Sequence, residues 1–171
     1  MTNSETAFQR AHSLLRKKQW KRVVELVCDK RRTRLRLPFN SDANHAWYIV
    51  GDALYKSKKI SAAAAAFRRA IRAYPQDAQA FWALGNCCSE LGKPTLAERY
   101  FRKGLKFASA ADRPKLTFNL GNALFDQQKY GAAKKEYKKI GKKDTRLRKL
   151  AQNNIRAVDI KLKGNKGKRR R

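Results

Sequence analysis

Three glycines set the frame of this chain. Gly51, Gly85 and Gly121 sit in "AWYIVGDALY", "AFWALGNCCS" and "LTFNLGNALF", spaced by 34 and 36 residues. Twelve residues after each comes an alanine, Ala63, Ala97 or Ala133. Four further on comes an aromatic, Phe67, Phe101 or Tyr137, and three beyond that Ala70, Gly104 or Ile140. The apolar residues between these marks recur at three- and four-residue intervals, the signature of amphipathic helices. One period is therefore a pair of helices, and small residues recur where two backbones must approach closely. A unit of this size cannot bury its apolar face alone, so successive units have to stack.

The same frame interprets "SAAAAAFRRA". Ala63 is expected where the two helices of one repeat cross and Ala70 against the following repeat, whereas Ala62, Ala64, Ala65 and Ala66 need only high helix propensity. Phe67 is expected to pack against the following repeat.

The pattern resembles the tetratricopeptide repeat family: Trp47, Val50, Gly51, Leu54, Ala63, Phe67, Ala70 and Pro75 match throughout. The third repeat departs at Phe81, Gly104 and Ser109, and the fourth at Thr117, Ile140 and Thr145. A degenerate first repeat fits through Ala11, Leu14, Trp20, Val23 and Val27. The resemblance implies an all-α fold, a right-handed α-solenoid of antiparallel helix pairs, over residues 4–162. Its repeats are expected at about 4–37, 44–77, 78–111 and 114–147, with a capping helix over 145–162. Residues 163–171, "KGNKGKRRR", read as a basic disordered tail.

Catalytic and metal chemistry find no support. His12 and His45 lack acidic or cysteine companions at ligand spacing. No phosphate-loop, dinucleotide or nucleophile-elbow motif occurs. Cys28, Cys87 and Cys88 are odd in number, show no metal or redox spacing, and suit a reducing compartment. No enzyme activity, metal or cofactor is expected. With no apolar run long enough for a membrane span and no secretory signal, the expected location is cytoplasmic, with nuclear or mitochondrial targeting left open.

The resemblance puts the first helix of each repeat on a concave groove. Helical spacing around the glycines then assigns Tyr48, Asp52, Tyr55, Trp82, Asn86, Phe118, Asn122 and Phe125 to it, with Ser89 among them and Phe8, His12 and Leu15 from the first repeat. Aromatic area and amide donor–acceptor pairs suit a peptide or protein segment. The family's carboxylate clamp is not expected: its positions hold Phe8, His12, Ile49, Gln79 and Ala83, and a frame one repeat along offers only Lys115.

Charge is the other strong feature, with 42 Lys and Arg against 13 Asp and Glu, a net of +29. On the second helices the cations recur in columns: Arg68, Arg102, Lys138; Arg69, Lys103, Lys139; Arg72, Lys106, Lys142. The C-terminal cations Lys166, Lys168, Arg169, Arg170 and Arg171 extend them. Such a ridge neutralises phosphates without reading bases, making a nucleic acid or other polyanion the second expected partner. Three functional classes follow: an interaction adaptor anchored to a polyanion, a ribonucleoprotein component, and a small secretion-type chaperone, against which the charge counts.

Overall fold

The computed structural model of the chain describes residues 3–141 and 145–168. Among these it places nine α-helices and one 3-10 turn: α1 (Asn3–Arg16), α2 (Trp20–Val27), the 3-10 turn Phe39–Asp42, α3 (Ala43–Lys56), α4 (Ile60–Ala73), α5 (Ala78–Glu90), α6 (Pro94–Phe107), α7 (Arg113–Asp126), α8 (Tyr130–Lys138) and α9 (Thr145–Lys168).

The helix ends are written in the sequence. Asp42 and Asp77 accept from the backbone N–H of His45 and Ala80, capping α3 and α5. Pro94 and Pro114 lie in the first turns of α6 and α7, where no intrahelical donor is lost. Inside each repeat the chain reverses through one left-handed residue: Lys18, Lys58, Gly92 or Gln128, with φ of 57°, 62°, 67° and 60°. The residue after each donates back to the carbonyl of Leu14, Leu54, Cys88 or Leu124, every time at 2.9 Å. This Schellman closure fixes the antiparallel return, yet only one of the four sites uses glycine.

The core repeats with the same period. Ala63, Ala97 and Ala133 are fully buried, and the rings of Phe67, Phe101 and Tyr137 are nearly so. A Cβ added at Gly51, Gly85 or Gly121 would lie 2.6, 2.4 or 2.5 Å from a carbon of Phe67, Phe101 or Tyr137 respectively. The aromatic thus packs into its own repeat's glycine, a contact the sequence did not suggest, because the return turn brings the two helices of one pair face to face. Ala64 and Ala66 are also buried. Ala62, Ala65 and Ala66 line a cavity with Trp47 and Val50 of α3 and Arg32 of the linker, and the burial of Ala64 and Ala66 constrains more of the run than propensity implied.

The linker between the first two repeats is an element in its own right. Cys28 and Leu35 form an antiparallel bridge. Asp29 accepts from the N–H groups of Thr33 and Arg34. The Leu37–Pro38 bond is cis, and Phe39 is buried edge-on to Phe8 of α1, 5.1 Å between centroids.

Successive first helices (α1, α3, α5, α7) touch one another and α7 touches α9, whereas second helices of neighbouring repeats approach less closely. The array therefore curves toward its first helices. α9 takes the place of the next first helix and buries Ala151 and Val158 on the last pair. It runs to Lys168, six residues beyond the expected cap, so Lys163 to Lys168 are helical and not a disordered tail. A formed helix extends readily, since each added residue contributes a hydrogen bond. α8 ends at Lys138, sooner than α4 or α6, closing in a tight turn through Lys139 and Ile140 ahead of Gly141. Lys139 accordingly lies past the helix end, while Lys142 and Arg169 to Arg171 lie outside the described residues.

Candidate interaction site

The eight groove positions named by spacing do fall on α3, α5 and α7, but they divide by chemistry. Asn119 Nδ2 donates to Asn86 Oδ1 at 2.7 Å, while Asn122 Oδ1 accepts from Tyr137 Oη at 2.7 Å and Asn154 Nδ2 at 3.0 Å. Tyr137 closes on Asn122 within one repeat, whereas Asn119 and Asn154 stand about one period further along the chain, so their bonds hold neighbouring repeats together. Tyr55 donates to Glu90 in the same manner. His12 and His45 complete this ladder with an Nε2–Nε2 hydrogen bond of 2.9 Å. Asp52 pairs with Lys56 at 2.8 Å. Phe118 and Phe125 lean on Tyr137 and Tyr130, centroids 5.8 and 5.2 Å apart. The sequence had offered the amides for a ligand's backbone; their oxygens are engaged within the fold.

Tyr48, edge-on to Phe67 with centroids 5.5 Å apart, and Trp82 are half-buried. With Gln79, Asp112 and Lys115 they line a cavity of about 200 Å³, floored by Ala78 and Leu116, where α3, α5 and the start of α7 meet on the concave face. The Trp82 Nε1–H is buried and has no hydrogen-bond partner among the described residues. Asp112 accepts from the Ser109 hydroxyl at 2.8 Å, and Lys115 Nζ stands 3.9 Å from its other oxygen. The Tyr48 phenol is pushed up to about 12 by burial first, then by the carboxylates of Asp52, Asp77 and Asp112. Asp112 was not among the residues picked from sequence. The signal was available: Gln79 and Lys115 each stand six residues before the repeat glycine, one turn beyond Trp82 and Phe118 on the same face.

The outer columns survive in part. Arg68, Arg72, Lys103, Lys106 and Lys138 are exposed and enter no ion pair among the described residues. Arg102 and Lys139 are drawn to Glu98 and Glu136 at 2.9 and 2.8 Å. Arg69 lies over the Trp47 ring at 4.7 Å and donates to the Arg32 carbonyl. A larger cavity of about 430 Å³ opens where the linker passes α2, between Trp20, Cys28 and the basic residues Lys21, Lys30, Arg32, Arg36 and Lys59. It adds to the basic surface rather than to the groove. No described helix is long and apolar enough to cross a membrane, and the described residues hold no cluster of three or more metal-ligating side chains.

The repeat frame, the glycine–aromatic contacts and the stacked pairs define a helical-repeat protein. The tetratricopeptide repeat model matches residues 33–78 and again residues 50–114, so the chain carries tetratricopeptide repeats there. No curated protein matches it in sequence. Among solved structures it is similar to YrrB, described as a TPR protein with an unusual peptide-binding site (TM-score 0.74, 18% identity, 94% of this chain and 78% of that one). It is also similar to MamA (TM-score 0.68, 20% identity, 81% and 71%). A third is the Yersinia enterocolitica type III secretion chaperone SycD in complex with a peptide of the translocator YopD (TM-score 0.64, 20% identity, 70% and 95%). At these identities the likeness concerns the fold.

Proposed function

We propose that the chain is a non-enzymatic interaction adaptor that holds a protein segment along its concave face and is anchored to a polyanion by its outer face. The observation that carries this reading is the cavity on the concave face, walled by the aromatic side chains of Tyr48 and Trp82 together with Gln79, Asp112 and Lys115. The peptide complex of SycD supports a segment as ligand by analogy of fold alone.

The chemistry of the thiols fits binding better than catalysis. Burial pushes Cys28 and Cys87 up to about 11 and 12, away from the thiolate a nucleophile needs. Three buried free thiols also suit a reducing compartment such as the cytoplasm. On the outer face, exposed arginines and lysines free of acidic partners favour phosphate neutralisation. That observation also sustains the second reading, a ribonucleoprotein component in which this face carries the main function.

The test is selection from a random displayed-peptide library against the full chain, followed by affinity measurement on Trp82→Ala. Selected peptides are expected to lose about tenfold or more in affinity while circular dichroism stays unchanged. Peptides that bind the variant as well as the parent would remove the groove from the reading.

A further inference from the structure

The first helices of the second, third and fourth repeats carry charge of the opposite sign to the rest of the chain. Helices α3, α5 and α7 with their N-cap residues hold Asp42, Asp52, Asp77, Glu90, Asp112 and Asp126 against Lys56, Arg113 and Lys115, and α5 has no Lys or Arg at all. Two of those three cations are turned away from the cavity. Lys56 pairs with Asp52 and sits 5.3 Å from the centre of the Trp20 ring. Arg113 donates to the carbonyls of Leu105 and Ala108 at 3.2 and 3.1 Å. Lys115 alone of the three lines the cavity, exposed, and its 3.9 Å approach to Asp112 is too long for a hydrogen bond.

A carboxylate beside two aromatic side chains is an arrangement that attracts a cation twice over, through charge and through the ring quadrupoles. Asp112 is half-buried, where such a pair is less screened than at an open surface. We propose that the segment held in the groove is cationic, and that one of its arginine or lysine side chains enters the cavity, its stem between Tyr48 and Trp82 and its charge on Asp112. The inference rests on the groove reading above and adds the charge of the partner. The net charge of the molecule does not oppose it. Charges are screened over about 8 Å at physiological ionic strength, and the cations of the outer columns stand across a helix layer roughly 10 Å deep.

The probe is an array of short amidated peptides scanned position by position, incubated with the full chain at about 150 mM salt, with affinities of the selected peptides measured in solution by fluorescence anisotropy. Peptides whose binding falls on Trp82→Ala, which removes the ring from the cavity wall, report on the groove. Acidic peptides caught by the outer face are indifferent to that change and so are set apart. Among the groove-dependent peptides an Arg or Lys anchor is expected. Asp112→Asn, which leaves an equally good N-cap residue, should weaken them about tenfold. Lys115→Gln removes the competing cation and should strengthen them by about twofold to threefold. Groove-dependent peptides with acidic or uncharged anchors, or a loss of affinity on Lys115→Gln, overturn the cationic partner and leave the groove standing. An array with no Trp82-dependent peptide overturns both.

Discussion

Each repeat glycine is opposed by a ring that cannot yield. Phe101 is almost wholly buried, and a Cβ at Gly85 would lie 2.4 Å from its ring edge. Gly104 looks similar in sequence but meets the end of the Leu116 side chain at 2.7 Å and the Phe81 Cβ at 3.1 Å. A Leu methyl can rotate aside, and alanine in a helix is worth about 1 kcal/mol over glycine. Gly85→Ala is therefore expected to lose about 2–3 kcal/mol by overpacking, and Gly104→Ala to stay within about 1 kcal/mol of the parent, both read from urea unfolding. Adding Phe101→Leu to Gly85→Ala should recover part of the loss, since the two positions touch. Equal effects at the two glycines would mean that the ring contact is not what keeps Gly85 small. At this scale the spacing in the sequence marks which positions must be small. It does not show what they meet, because direction across a helix pair depends on how the turn closes.

Between elements, polar contacts one period apart tie the first helices together, and the first junction is the pH-sensitive one. An Nε2–Nε2 hydrogen bond between His12 and His45 requires one ring to donate and the other to accept, so both cannot be protonated while it stands. The His12 ring is held below its ordinary value near 6.5, by burial first, then by His45 and Arg16. The unfolded chain then binds protons more readily than the folded one, so stability is full above about 6.5 and falls as pH drops through and below it. Thermal melts from pH 7.5 to 5 should show this decline, and His12→Gln should flatten it. An unchanged slope in the variant would place the titration elsewhere. Much at this scale was legible: the helix pairs, the degenerate first repeat and the capping helix all follow from the glycine frame. The linker was not, because its order comes from a local turn around Asp29 and from Phe39 filling a gap beside Phe8, neither of which has a period. The groove was half legible, since spacing finds a face but not the bonds that occupy it. Tyr48 and Trp82 line a cavity between first helices, whereas the amide oxygens of Asn86 and Asn122 are bonded within the fold.

Across the second to fourth repeats the two signs of charge are sorted onto two helix layers, and sorting makes the faces separable by experiment. Arg68, Lys103 and Lys106 stand exposed on second helices, remote in the fold from the Trp82 cavity on the first. If the outer face neutralises phosphates, binding of a mixed-sequence RNA should fall by several orders of magnitude between about 50 and 200 mM salt, each neutralised phosphate adding about 0.7 to the slope for a single strand. Sequence preference should be slight, since phosphate contacts carry no base information. Reversing Arg68, Lys103 and Lys106 to Glu should lower affinity and flatten the salt dependence, while Trp82→Ala leaves both unchanged. The converse holds for the groove peptides: the triple reversal should leave them bound. Weak RNA binding at both salt concentrations would assign the outer face to an acidic protein or to solubility, and the groove would then carry the adaptor function by itself. RNA binding lost on Trp82→Ala would mean instead that both faces serve one ligand, which the opposite charges of the two surfaces argue against.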